Sequence, residues 1–180
     1  MSKKEIIFLV EDNVGFALST KKGLEKELDF EVIHFETGEK MLEFVEQKPD
    51  VIPAIIVLDY YLNSMEGAAL NGGEIMFKLK NPEKRVNPFR KVPVIMLTAA
   101  NELTTAITLL KKGAMDYILK DEAFFENLLK TINNIINIRN YQTEIVMHKA
   151  KADVYRKRLI GMSVAFGVII TALVILFLAK

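Results

Sequence analysis

The chain has 180 residues, enough for one domain of ordinary size plus an appendage, and a formal net charge of +1. That near-neutrality conceals an asymmetry: residues 1–137 carry 17 Lys and Arg against 21 Asp and Glu, whereas residues 138–180 carry 7 against 2. A mildly acidic body argues against a nucleic-acid-binding surface, a basic tail leaves an anionic membrane open as its partner, and the lack of cysteine excludes disulfides and thiolate metal sites.

The N-terminus runs into only five apolar residues with no cleavage-site pattern, so no secretory signal is expected. Ile6-Ile7-Phe8-Leu9-Val10 reads as a first strand, with Glu11-Asp12-Asn13 at its end. Residues 14–28 read as a helix whose apolar positions are Phe16, Leu18, Leu24 and Leu28. Residues 31–35 alternate as an edge strand does, and His34 on it is expected to be structural. Thr37 suits the N-cap of a helix running to about Gln47, with Met41, Leu42 and Val45 inward and Pro49 as its stop.

Ala54-Ile55-Ile56-Val57-Leu58-Asp59 is the strongest signal in the chain. An apolar run of this kind fits a strand buried on both faces of a parallel sheet, and it ends on a carboxylate. Residues 60–72 hold Asn63, Ser64, Gly67, Asn71 and Gly72 and read as a long loop before a short helix over 73–79. A second irregular stretch covers 81–88. Val94-Ile95-Met96-Leu97 is a fourth strand ending at Thr98, residues 103–112 form a helix stopped by Gly113, and Tyr117-Ile118-Leu119 is a fifth strand ending at Lys120. Strands alternating with helices imply right-handed crossovers and an α/β fold with a doubly wound, five-stranded parallel sheet.

From Asp121 onward there is no proline, and the only glycines are Gly161 and Gly167, so one helix can run to the C-terminus. Within it Ile138, Tyr141, Ile145, His148, Ala152, Tyr155, Leu159 and Met162 alternate steps of three and four, a heptad seam weakened by Ala and His. The other reading is a solvated single helix with incidental apolar residues. Residues 159–179 are 21 positions without a charge, long enough at ~1.5 Å per residue to cross a bilayer. Thirteen of them are Leu, Ile, Val or Phe. These supply about −4 to −8 kcal/mol toward insertion before polar residues subtract. Lys149, Lys151, Arg156, Lys157 and Arg158 precede this stretch and Lys180 alone follows it, which places the body on the cytoplasmic side. Gly161 with Ala165, and Ser163 with Gly167, are small residues four apart that suit packing of two membrane helices. The chain is therefore read as a body over 1–137, a helical linker over 138–158 and a transmembrane helix over 159–179.

Parallel strands set their carboxyl ends along one edge, so Glu11, Asp12, Asp59, Thr98 and Lys120 are expected to share a crevice. Three carboxylates together repel one another unless a cation neutralises them. Oxygen donors with room for water suit Mg²⁺, and a lysine and a hydroxyl opposite suit a phosphoryl group. A carboxylate can itself be the nucleophile, so these residues point to Mg²⁺-dependent phosphoryl transfer onto Asp59.

Glu11-Asp12, Asp59, Thr98-Ala99 and Tyr117-Ile118-Leu119-Lys120, in this order and each at a strand end, resemble the receiver domain of bacterial response regulators over about residues 4–135. The resemblance implies the flavodoxin-like strand order 2-1-3-4-5. It also implies that Asp59 accepts phosphate from the phosphohistidine of a sensor histidine kinase or phosphotransfer protein. Asp12, Asp59 and the backbone carbonyl of Tyr61 would hold Mg²⁺, with Glu11 acting through water. Lys120 would pair with the phosphoryl group, Thr98 would hydrogen-bond to it, and Tyr117 would turn inward as Thr98 moves.

The chain departs from the family pattern in places. Glu11 replaces the commoner aspartate, Asn63 stands where a proline is frequent, and Asp121 replaces the proline that usually follows the lysine. Tyr61 is bulky for its place and is expected to shield the phosphate from water, the alternative being a ring turned into solvent. The 39 residues from Asp59 to Thr98 exceed the usual spacing, the extra ones falling in 65–72 and 82–89.

The function expected is a phosphorylation switch at the bacterial cytoplasmic membrane. Its output passes through an unidentified partner protein, onward phosphotransfer or a homodimer formed through 138–167, since no output domain follows. A phosphorylation-independent membrane-anchored scaffold is the alternative. A phosphatase using an aspartyl-phosphate is disfavoured because Tyr61 stands where such enzymes place a second aspartate. The chain is thus not expected to be a turnover enzyme, and His148 is not expected to be a kinase histidine.

Overall fold

The structure is a computed structural model that describes residues 4–62, 70–80, 87–99 and 103–178, without the side chains of 103–106, 168, 173, 176 and 177. It forms two compact units, Met1–Asn133 and Asn134–Lys180.

In the first unit the order is β1 (Glu5–Val10), α1 (Val14–Glu27), β2 (Phe30–Phe35), α2 (Gly38–Gln47), β3 (Ile55–Asp59), α3 (Gly72–Leu79), a 3₁₀ turn (Pro88–Lys91), β4 (Val94–Thr98), α4 (Leu103–Lys111), β5 (Asp116–Leu119) and the start of α5 (Phe124–Leu178). The five strands form one sheet in the order β2-β1-β3-β4-β5, and every neighbouring pair is parallel. This is the expected doubly wound sheet. The apolar runs explain it: β3 and β4 are buried along their whole length, as strands covered by helices on both faces must be. The polar beginning of β5 is tolerated because Asp116 Oδ1 accepts the Tyr117 N–H at 2.8 Å and Oδ2 accepts the Thr131 hydroxyl at 3.0 Å.

Side-chain caps start the helices. Asn13 Oδ1 accepts the N–H of Phe16 at 3.0 Å, and Thr37 Oγ1 accepts that of Lys40 at 3.2 Å. Asn71 and Glu74 form a reciprocal capping box at the start of α3. Gly72, expected in the loop, is the first residue of α3. A Cβ there would press into the Asp59 carbonyl oxygen, so only glycine lets the helix begin this close to the strand. Gly113 ends α4 with φ of 100°, as its place after the helix predicts.

The buried face of α1 is set by small residues as well as by one large apolar one. Ala17, Thr20 and Leu24 are the buried residues, while Leu18 is 46% exposed and Leu28 is an extended cap beyond the helix. Close approach of helix to sheet favours small side chains at the contact, and the helical pattern of large residues misses that. The segments 63–69 and 81–86 lie outside the described residues, and with them Asn63 and most of the two stretches expected to hold extra residues. What is described of the second stretch is ordered by Asn87, whose side chain donates to the Leu79 carbonyl at 2.8 Å and caps the turn that buries Phe89.

The second unit is the continuation of α5, which is unbroken to Leu178. From residue 141 onward every described side chain is exposed, the heptad positions Tyr141, Ile145, Tyr155, Leu159 and Met162 included. Among the described residues no helix is long and apolar enough to cross a membrane. The span expected over 159–179 is thus not found there. Val168, Leu173, Leu176 and Phe177, which belong to that stretch, lie outside the described side chains, as do the last two residues.

Candidate functional site

The carboxyl edge of the sheet collects the chemistry. Glu11 and Asp12 lie between the end of β1 and the Asn13 cap of α1, and the Glu11 N–H donates to the Phe35 carbonyl at 3.0 Å. Asp59 is the last residue of β3 and Thr98 the last of β4. Lys120 follows β5 and is held in register by its N–H, which donates to the Thr98 carbonyl at 2.9 Å.

Carboxylate oxygens of Glu11, Asp12 and Asp59 lie within 4.8 Å of one another. Lys120 Nζ closes the group, 2.7 Å from Glu11 Oε2 and 2.8 Å from Asp59 Oδ2. Asp59 Oδ1 accepts the N–H of Tyr61 at 3.3 Å, so both oxygens of this carboxylate are held. These residues, with Asn13, Phe16, Tyr61 and Ala99, line an open cavity of about 330 Å³.

Burial sets the electrostatics. The Glu11 side chain is 1% exposed, and desolvation, opposed by Lys120 and reinforced by the Asp59 charge, raises its carboxyl above the usual range. Burial pulls the Lys120 ammonium down, but Asp59 and Glu11 together outweigh it and its pKa is raised. Lys120 is therefore a fixed cation between two carboxylates. Glu11 Oε2 is buried, and the Lys120 ammonium 2.7 Å away is its ion-pair partner.

A divalent cation fits this donor set. The three carboxylates offer hard oxygen ligands beside one open cavity, and the single positive charge of Lys120 does not balance three negative ones. The acidic pocket is of the kind that binds Mg²⁺.

The remaining expected residues fall as follows. Thr98 is 3% exposed at the strand end, and Ala99, the next residue, lines the cavity. Tyr117 lies on β5 with its side chain packed against the core cluster. Tyr61 is 42% exposed, lines the cavity and meets the Tyr60 ring edge-on, with centroids 4.8 Å apart. His34 is structural at the site's edge: its Nε2 lies 2.8 Å from the Glu11 carbonyl, which can only accept, so Nε2 carries the proton.

Sequence reasoning missed Phe16. It reads as one more apolar residue of α1, yet its ring faces the Lys120 ammonium at 4.9 Å and packs on Phe124 with centroids 4.8 Å apart. The available signal was its place in the first turn of the helix that follows the acidic pair.

Known proteins resemble this chain in sequence and in fold. The sequence profile of the response regulator receiver domain matches residues 7–133. The chemotaxis protein CheY of Listeria monocytogenes is 32% identical over 112 residues, covering 62% of this chain and 83% of that protein. The two-component response regulator ORR11 of Oryza sativa is 28% identical over 98 residues, covering 54% of this chain and 59% of that protein, so the chain spans under two thirds of that relative. In fold the chain resembles a CheY-like response regulator receiver domain protein from Methanospirillum hungatei, with a TM-score of 0.62 and 24% identity, covering 78% of this chain and 99% of that one. It also resembles the receiver domain of the Francisella response regulator 1452, with a TM-score of 0.60 and 20% identity, covering 75% and 98%. The receiver domain over 7–133 is not itself a turnover enzyme. With its profile match covering most of the chain, this protein belongs to the response regulator receiver domain family.

Proposed function

We propose that the chain is a membrane-anchored receiver that takes a phosphoryl group on Asp59 and changes partner interactions in response. One observation carries the reading: the Lys120 ammonium and the oxygens of Glu11, Asp12 and Asp59 converge on one open cavity. In the transfer an Asp59 oxygen forms a bond to phosphorus as the phosphorus–nitrogen bond of the donor phosphohistidine breaks, and the departing imidazole takes up a proton. Lys120 stays close to neutralise charge on the phosphoryl oxygens, and the Tyr61 N–H holds the other Asp59 oxygen. Asp12, Asp59 and the Tyr61 carbonyl are the proposed Mg²⁺ ligands, with Glu11 acting through water. When bound, the ion screens the negative charge of both reactants and orients the phosphoryl group. Thr98 then hydrogen-bonds to the phosphoryl oxygen, Tyr117 turns inward with it, and the exposed Tyr61 ring shields the new bond from water.

Residues 138–158 serve as a helical linker, and 159–179 as the anchor in a bacterial inner membrane, with the receiver on the cytoplasmic side. The anchor rests on sequence: 21 positions without charge, preceded by five basic residues within 149–158. The seam over 138–167 suits pairing with a second copy.

Phosphate incorporation from acetyl phosphate with Mg²⁺ tests the site: the wild type takes up one equivalent and Asp59→Asn none. Equal labelling of both overturns the assignment. Partner binding that ignores Asp59→Ala would instead favour the phosphorylation-independent scaffold.

A further inference from the structure

Lys120 has carboxylates on one side and an aromatic face on the other. Its Nζ lies 4.9 Å from the centroid of the Phe16 ring, inside the ~6 Å over which a ring quadrupole attracts an ammonium. The ring itself is fixed. Its backbone N–H donates to the Asn13 cap at 3.0 Å, and its other contact is Phe124, 6% exposed, with centroids 4.8 Å apart. It also lines the same cavity as Asp59 and Lys120.

We propose that Phe16 is a positioning residue for phosphoryl transfer, holding the Lys120 ammonium against the cavity wall so that its N–H bonds point at the Asp59 oxygen. The inference rests on the reading of Asp59 as phosphoacceptor and Lys120 as its cation. The physical need is specific. Lysine is a point charge on a flexible four-carbon stem, and the two carboxylates that hold it are the groups whose charges change when a phosphoryl group or a cation arrives. The ring attracts the ammonium without competing for those oxygens and without changing its own charge. It keeps Lys120 in place while its anionic partners are redistributed.

The measurement is the rate of Asp59 phosphorylation by acetyl phosphate in the full chain, alongside the thermal unfolding midpoint. Phe16→Leu keeps apolar bulk but removes the quadrupole and should react about two- to fivefold more slowly. Phe16→Tyr keeps the ring and should stay within about twofold of wild type. In a Lys120→Met background the Leu substitution should cause no further loss, because the group it acts through is gone. Pentafluorophenylalanine at position 16 has nearly the same shape and an inverted quadrupole. It should slow the reaction at least as much as leucine, which keeps the test decisive if the Leu variant unfolds. An unchanged rate with the fluorinated ring, or an equal slowing by leucine with and without Lys120, overturns the proposal and leaves Phe16 a packing residue. Label persisting in Asp59→Asn overturns the underlying site assignment instead, which separates the two failures.

Discussion

In the first unit β3 and β4 bury all their side chains and the core closes over them, with Phe8, Ile56, Leu58 and Met96 fully shielded. In the second unit every described side chain beyond residue 140 is exposed, among them Ile145, Tyr155, Leu159, Ile169 and Ile175. The same kinds of residue meet opposite fates. A sheet covered by its own helices supplies its own apolar environment. A lone helix supplies no such environment for its own side chains. The first unit thus shelters a candidate site, and the second leaves its described side chains exposed beyond residue 140.

Removing residues 138–180 should have the largest effect of any change. The thirteen Leu, Ile, Val and Phe residues of 159–179 favour insertion by about −4 to −8 kcal/mol, a factor of roughly 10³ to 10⁶ in partitioning. The full chain should stay with vesicles through an alkaline wash, and residues 1–137 should not. A full chain that washes off would remove the anchor and leave the receiver reading intact.

Next in size is Lys120→Ala. It removes the cation that pairs with both Glu11 and Asp59, and phosphorylation by acetyl phosphate should slow by about 10²-fold. The loss should be the same in the full chain and in residues 1–137. A difference between them would show that the two units are not independent.

The sheet could be read from sequence because fully buried strands are continuous apolar runs, and each of three runs ends on or beside a residue of the candidate site. Asp59 and Thr98 end their strands, and Lys120 follows the last one. What escaped was decided by contacts between distant elements. Phe16 reads as core until the turn after β5 brings Lys120 over its ring. Gly72 reads as loop until α3 is seen to start against the Asp59 backbone. Leu18 is among the apolar positions of α1, yet Ala17 and Thr20 are buried and Leu18 is 46% exposed. The anchor proposed for 159–179 rests on composition alone, and among the described residues no helix is long and apolar enough to cross a membrane.

Two glycines sharpen the contrast further. Gly72→Ala should destabilise the first unit by about 1–3 kcal/mol, because the new Cβ meets the Asp59 carbonyl, the Tyr60 backbone and the Met96 side chain. Gly161→Ala adds a Cβ that meets nothing, and the midpoint of the first unit should stay within about 0.5 kcal/mol of wild type. Thermal unfolding followed by near-ultraviolet circular dichroism separates the two. A Gly72 variant as stable as wild type would mean that the start of α3 yields easily and does not fix the Asp59 backbone.

The smallest effect concerns the charge on Glu11. Its folded pKa is raised, chiefly by burial, so the folded state binds a proton more tightly than the unfolded chain does. The ionised group therefore costs stability at neutral pH. That cost is relieved as pH falls through the folded value toward the ordinary 4.5, and nothing further is gained below it. Lys120 behaves in the opposite range: its raised pKa contributes stability in full below 10.5, and that contribution is lost as pH rises through the folded value. With chelator present, wild-type stability should rise as pH falls from 7 toward the carboxylate range. Glu11→Gln should flatten that rise and raise the midpoint at pH 7. Mg²⁺ favours the ionised carboxylates, so it should reverse the order and stabilise the wild type more than the glutamine variant. If Mg²⁺ raised both midpoints equally, Glu11 would not belong to the cation site, and the burial of its carboxylate would be a cost of the fold alone.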